Sequence, residues 1–395
     1  MLNATASTRL GKYVIFKSGE ETVRAFVPPP LPPDPPLDLT PFHGLLDRAT
    51  LALGRLDGLS TLLPDTSLFL YFYVRKEAIV SSQIEGTKSS LSDLLMYENQ
   101  EAPNVSLDDV REVSNYIAAM EHGLKRMEDG FPLSLRLIKE MHSILLQDGR
   151  GAEKEPGEFR RSQNWWGGTR PGNAIYVPPP PDEIMPCMGA LELFFHDDKA
   201  RLPLLVRAAL VHVQFETIHP FLDGNGRLGR LLVTLMLCAD KALKEPLLYL
   251  SLYLKTHRDA YYDLLQKVRK EGAWEGWLEF FLNGVVDTAT QAADAATSIL
   301  SLFKVDRDSL TSAGRGAASA MRVHEAMQTK PITTIASLKN ATGLTIPTIS
   351  TALEELIKLG IVREITGRKR GRLFMYGSYF KILSDGTEPL PLTKG

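Results

Sequence analysis

Twelve consecutive residues constrain this chain more than any other feature: His219-Pro220-Phe221-Leu222-Asp223-Gly224-Asn225-Gly226-Arg227-Leu228-Gly229-Arg230. Apolar helical stretches flank the run, Leu204–Ile218 before it and Leu231–Ala239 after it. A hydrophobic core has little use for so polar a loop, but a polyanion does. Gly224 and Gly226 can take positive φ and bring main-chain N–H groups close to an anion. The segment then feeds a helix N-terminus, which favours negative charge. Arg227 and Arg230 stand at i and i+3 and project from one helical face; their planar forks match phosphate oxygens. Asp223 is a hard oxygen ligand able to share Mg²⁺ with substrate phosphates. His219, with a reference pKa of about 6.5, suits proton abstraction from a hydroxyl near neutral pH. Singly, these residues read as a helix cap, a turn or a solvated face. In one ordered string they point to phosphoryl-type transfer by positioning and electrostatics.

The string resembles, position by position, the signature of the Fic (filamentation induced by cAMP) family, H-x-F-x-[DE]-G-N-G-R-x-x-R. The resemblance implies a nucleotidyltransferase that moves AMP from ATP to a Ser, Thr or Tyr hydroxyl of a protein, with Mg²⁺. It makes His219 the general base and Asp223 the Mg²⁺ ligand. The nucleotide-binding run becomes Asp223, Gly224, Asn225, Gly226, Arg227, Leu228, Gly229 and Arg230. Within it, Asn225 and neighbouring amides form an anion hole for the α- and β-phosphates, and Arg227 and Arg230 clamp the distal ones. The sister Doc group, which phosphorylates instead, usually has Lys where this chain has Gly226, a difference that favours AMP transfer.

A second string, Ser81-Ser82-Gln83-Ile84-Glu85-Gly86, fits the family's inhibitory pattern [ST]-x-x-x-E-[GN]. Ser81 and Glu85 lie at i and i+4 on one face of a helix expected from about Ser67, with Gly86 as its C-cap. A carboxylate in the last turn opposes the helix dipole, and a broken local rule often marks a functional site. The resemblance implies an inhibitory role for Ser81 and Glu85, with Glu85 pairing Arg230 in the nucleotide pocket.

Between the motifs, Gln163–Trp166 and Ala174–Val177 flank the turn formers Gly167-Gly168-Thr169-Arg170-Pro171-Gly172, a strand–turn–strand signal. It resembles the family's flap, whose edge would hold the protein target along residues 163–177 by strand addition. Gly157-Glu158-Phe159-Arg160 also resembles family sequence. Tyr261-Tyr262 sits where the family often contacts adenosine, and helical packing explains the pair almost as well.

The resemblance therefore predicts a mainly α fold: a Fic helical core with a β-hairpin flap, an N-terminal helical region and a C-terminal winged helix-turn-helix. The expected units are 1–110, 111–305, a linker over 306–317, and 318–385. At the N-terminus, Lys12–Phe16 and Thr22–Val27 read as a hairpin, and Pro28–Pro36 as an extended connector or an SH3-type ligand. Thr40-Pro41 reads as a capped helix start, with Leu45, Leu46, Ala49, Leu53 and Leu56 as its apolar stripe.

Toward the C-terminus, an Ala/Thr-rich helix is expected to about Phe303. Ala317–Gln328, Ile335–Ala341 and a third helix capped by Thr345 precede a hairpin of Ile361–Ile365 and Leu373–Tyr376 with a basic tip. That pattern matches a winged helix-turn-helix. A basic wing can grip DNA phosphates, but Thr348, Thr351, Glu354 and Glu355 on the third helix are a poor groove reader. Docking or dimerisation is an equal alternative for this unit.

Composition excludes little. The net charge of −2 creates no global field toward nucleic acid or membrane. Two cysteines, Cys187 and Cys238, form no disulfide framework or metal spacing and suit a cytoplasmic setting. The longest apolar run, Leu231–Ala239, is far short of the ~20 residues of a membrane span. Three functions stay open at this point. One is an adenylyltransferase restrained by Glu85, with self-modification expected and a homodimer suggested by the resemblance. The others are an enzyme that removes AMP, and a nucleotide-sensing DNA-binding regulator.

Overall fold

The computed structural model describes residues 9–18, 21–62, 66–99, 105–197, 201–312, 316–368 and 371–389. An N-terminal hairpin pairs β1 (Lys12–Ser18) with β2 (Glu21–Val27) antiparallel, from Lys12↔Val27 to Ser18↔Glu21. Val23 and Ala25 turn inward, as strand alternation requires, and pack on Val177. The proline segment then runs along the body, where Pro33 is buried and the Pro29 carbonyl accepts a bond from Gln214. It behaves as a packed connector.

Helices follow: α1 (His43–Leu62), α2 (Thr66–Ile84), α3 (Leu91–Glu98), α4 (Leu107–Glu128), α5 (Leu135–Leu145) and α6 (Pro181–Phe195). Then come α7 (Leu204–Ile218), α8 (Asn225–Ala239), α9 (Ser251–Thr256), α10 (Arg258–Glu271) and α11 (Trp274–Thr311). The start of α1 departs from expectation. Asp38 Oδ1 accepts the Thr40 N–H, so Thr40–Phe42 forms a 3₁₀ turn and Thr40 caps nothing. The Leu45–Leu56 stripe is buried as expected and packs on α11.

The centre of the molecule is the α7–α8 pair. α7 is buried almost all round, from Leu205 to Ile218, as a helix apolar on every face must be. Trp277 of α11 donates its indole N–H to the Ala209 carbonyl and closes that core. α4 and α5 flank α8, and α2 packs on α4 and α9.

The C-terminal unit holds α12 (Ala317–Thr329), β3 (Ile332–Thr334), α13 (Ile335–Thr342), α14 (Ile346–Lys358), β4 (Val362–Glu364), β5 (Leu373–Tyr376) and α15 (Gly377–Ser384). Its sheet runs β3-β5-β4, all antiparallel, a winged-helix arrangement in which the three-residue β3 went unread in the sequence. Lys369 and Arg370 at the wing tip lie outside the described residues, as does most of the Ser312–Gly316 segment.

α11 extends past Phe303 to Thr311, about 57 Å at 1.5 Å per residue. Its last turns are held by the C-terminal unit: Phe303 packs on Tyr376 and Tyr379, and Tyr376 donates to Asp306 at 2.5 Å. The expected linker therefore begins as helix. Among the described residues, no helix is long and apolar enough to cross a membrane.

Candidate functional site

The 219–224 loop leaves α7 at His219, which takes a left-handed conformation (φ 50°, ψ 60°), an uncommon one for a residue with a Cβ. Such strain persists only where the surroundings over-determine it, and here they do. Arg160, 2 % exposed, donates to the carbonyls of His219 (3.0 Å), Ser162 (3.1 Å) and Pro179 (2.5 Å), while its own N–H bonds the Pro220 carbonyl. Asn225 closes the loop from below: its Oδ1 accepts the Phe221 N–H at 2.9 Å and its Nδ2 donates to the Phe221 carbonyl at 2.8 Å.

His142 of α5 stacks on the Phe221 ring at 3.7 Å. Its Nδ1 accepts the Gly157 N–H, so Nε2 carries the proton and donates to the Asp223 carbonyl at 3.0 Å. Burial pushes its pKa down to about 4 and keeps the ring neutral. Gly224 takes φ 75° as the turn requires, and no side chain caps α8, whose first N–H groups are left for an anion.

Beside this loop lies a cavity of about 140 Å³, open to solvent, with His219, Gly226, Arg230, Glu85, Glu216 and Arg269 in its wall. Tyr262 and Trp166 stack at 5.7 Å along one side. Burial, with Arg269 and Arg160 nearby, drives the His219 pKa down to about 4. Its Nδ1 faces Glu216 Oε2 at 3.9 Å. The ring is thus neutral at pH 7 and able to take a proton through Nε2. Burial raises Glu216 to about 7, and its Oε1 has no hydrogen-bond partner.

Arg230 is a buried cation in the wall of the cavity. Its Nε donates to Ser81 Oγ at 2.8 Å, and its Nη2 to the Ser81 carbonyl at 3.0 Å and Glu85 Oε1 at 2.7 Å. Burial works to raise the Glu85 pKa, but Arg230, with Arg227 and His219 nearby, offsets it and the net direction is down. The end of α2 presents Glu85 through a Schellman turn: Thr87 N–H bonds the Ser82 carbonyl, Gly86 N–H bonds that of Gln83, and Gly86 has φ 104°.

Gly226 is helical, so its role is close approach rather than positive φ. A Cβ built there would collide with Glu85 Oε1 and come within 3.0 Å of Arg230 Nη1.

Several expected site residues sit elsewhere. Arg227 does not share a ligand face with Arg230; buried Glu112 of α4 holds it at 2.9 Å and Asp223 at 3.5 Å. The Asn225 amide is committed to Phe221, leaving only its backbone for an anion. Leu228 is in the core, and Gly229 lies against α7, where its carbonyl accepts from His212. Neither lines the cavity, because positions 226 and 230, one turn apart, face it instead. The Tyr261 ring lines the wall, but its hydroxyl is 2.9 Å from His212 Nε2 and is used there. The flap is less regular than a hairpin. Only Trp166 and Tyr176 pair across it, with a 3₁₀ turn over Pro171–Asn173, because glycines 167 and 168 take positive φ and bend the chain.

No spacing or motif marks His142, Glu112, Glu216 or Arg269 as site residues. Arg269 donates to Thr217 Oγ1 (3.2 Å) and the Glu216 carbonyl (3.0 Å), fixing the last turn of α7.

Comparison with known proteins agrees with this architecture. Residues 43–125 match the Fic/DOC family N-terminal model and residues 132–237 the Fic/DOC family model. The protein adenylyltransferase Fic of Aedes aegypti is 32% identical over 257 residues, covering 62% of this chain and 47% of that protein. Its counterpart in Culex quinquefasciatus is 31% identical over 225 residues, covering 55% and 41%. The chain thus spans less than half the length of these curated relatives. Among solved structures, a Fic family protein from Desulfovibrio desulfuricans superposes with a TM-score of 0.55 at 20% identity, covering 86% of this chain and 97% of that one. A Fic domain containing signaling protein from Bacteroides thetaiotaomicron gives 0.51 at 22%, covering 64% and 97%. With both family regions in order and the loop and helical core in place, the chain carries a Fic/DOC family N-terminal region followed by a Fic/DOC family region.

Proposed function

We propose that this protein is an adenylyltransferase that moves AMP from ATP to a Ser, Thr or Tyr hydroxyl of a protein, and that Glu85 restrains it. The observation that carries the reading is the guanidinium of Arg230, buried in the wall of the His219 cavity and bound by Glu85 at 2.7 Å. His219 Nε2 takes the proton of the target hydroxyl, whose oxygen bonds the α-phosphorus of ATP. The bond from that phosphorus to the β-bridging oxygen breaks, and pyrophosphate leaves. The uncapped N-terminus of α8 and Arg230 hold the phosphates. The exposed Trp165, Trp166 and Ile175 suit capture of the target along 163–177.

The donor set fits Mg²⁺ as a substrate-borne ion. Asp223 keeps its side chain 37% exposed, and no cluster of three or more His, Cys, Asp or Glu among the described residues could hold a metal alone. Asp223 would hold the ion, which would offset the phosphates' charge. With Arg230 engaged by Glu85, the guanidinium is unavailable to the γ-phosphate. A charge-assisted bond of roughly 1.5–3 kcal/mol damps the reaction about 10- to 150-fold. Incubation with ATP and Mg²⁺ followed by mass spectrometry tests the reading: an added AMP that depends on His219 and grows in Glu85→Gly is expected. Equal labelling by wild type and Glu85→Gly would remove the restraint from it.

A further inference from the structure

Gln83 lies two residues before Glu85, so its side chain leaves the opposite side of the α2 end. It is 3% exposed, and its Nε2 donates to two carbonyls, Ser89 at 2.7 Å and Thr387 at 2.8 Å. Ser89 closes the turn that presents Glu85. Thr387 belongs to the segment that follows α15, and it is itself 1% exposed.

That segment is fastened on its other side as well. Lys255 of α9, also buried, donates to the carbonyls of Gly386 (3.1 Å) and Glu388 (2.5 Å). Thr387 folds back on Ser384 through both its N–H (2.9 Å) and its hydroxyl (2.7 Å). Gly386 lies flat on Leu252, where a Cβ would come within 2.8 Å. Higher up α2, Phe72 packs on Tyr379 of α15 at 5.7 Å. The C-terminal unit therefore holds α2 at two levels, one of them two residues from the inhibitory carboxylate.

We propose that residues 386–388 are a latch: they hold the Gln83–Ser89 turn, and with it Glu85, on Arg230, so that displacement of the C-terminal unit by a partner releases the enzyme. This rests on the restraint assigned to Glu85 above. Gln83 ties the two strands of the turn together only while its amide is fixed, and the Thr387 carbonyl is the partner that comes from outside the turn. Loss of one buried neutral hydrogen bond, worth about 1 kcal/mol, raises the released population roughly 5-fold.

The test uses the full chain with Gln83→Leu, Lys255→Met and Glu85→Gly, alone and combined. Labelling with ATP and Mg²⁺ is read beside hydrogen exchange of the amides over 85–89. Gln83→Leu removes its bonds to both Ser89 and Thr387 and is expected to raise labelling at least about 5-fold, below Glu85→Gly, and to speed exchange over 85–89. In the Glu85→Gly background it should add nothing, an epistasis that general loosening would not produce. Lys255→Met frees the segment from its far side with α2 intact, should give the same pattern, and covers a Gln83 variant that fails to fold. Wild-type labelling in both variants while Glu85→Gly is raised would overturn the latch alone. No rise in Glu85→Gly would overturn the restraint and the regulatory half of the latch with it, and unchanged exchange would overturn the mechanical half.

Discussion

The loop around Asp223 and the turn around Glu85 face each other across one cavity, yet they are held in opposite ways. The loop is cross-braced from three sides, by Arg160, His142 and Asn225, and most of those bonds end on backbone. The turn reaches the same cavity through one carboxylate on one guanidinium, with one amide behind it. A cradle must hold its geometry to act on charge as it develops, so redundancy serves it. A plug must leave, so a single strong contact whose loss costs little elsewhere serves it better.

Breaking the cradle's own chemistry should give the largest effect. His219→Ala is expected to lower AMP incorporation by 10²–10⁴-fold, the usual scale for a general base, with the melting temperature measured beside it to separate chemistry from folding. Next comes the plug: Glu85→Gly should raise incorporation 10- to 150-fold, read as the rate of AMP mass gain. Removing a brace should act on both stability and activity. Arg160→Ala leaves buried carbonyls of His219 and Pro179 without a donor and should cost about 2–3 kcal/mol, seen as a lower urea midpoint and reduced incorporation. A brace variant that loses neither would show that the loop is not over-determined.

The smallest expected effect is in pH. Burial pushes the His219 pKa down to about 4 in the folded protein, and the proposed reaction uses the neutral ring as its base. Incorporation by Glu85→Gly should therefore hold its level from pH 8 to about 5.5, where an ordinary imidazole would already have failed below about 6.5. Stability moves with the same sign. Buried His142, His212 and His324 also titrate near 4 when folded and near 6.5 when unfolded. Between those values the unfolded chain binds more protons, so the melting temperature should fall as pH drops from about 6.5 toward 4. A flat melting temperature over that window would show that these rings are charged in the fold.

What the sequence made legible was what local rules govern. The 219–230 string, the i, i+4 pair of Ser81 and Glu85 and the glycine cap at Gly86 all follow from spacing within one element. The cap at Thr345 does too, accepting the backbone N–H three residues on. What stayed hidden depends on partners far along the chain. His142 reaches Asp223 across 81 residues, and Gln83 reaches Thr387 across 304. A lone histidine or glutamine on a helix has no period that announces such a bond. The partner of Arg227 was hidden for a related reason: its i, i+3 relation to Arg230 is legible in the sequence, but the contact with Glu112 comes from another helix. The three-residue β3 is too short to show an alternation.

Gly226 carries a last implication. A methyl group built at position 226 would run into the Glu85 oxygen, so the carboxylate would have to swing aside to make room. The grip of Glu85 on Arg230 in its present pose therefore depends on the single hydrogen that glycine carries there.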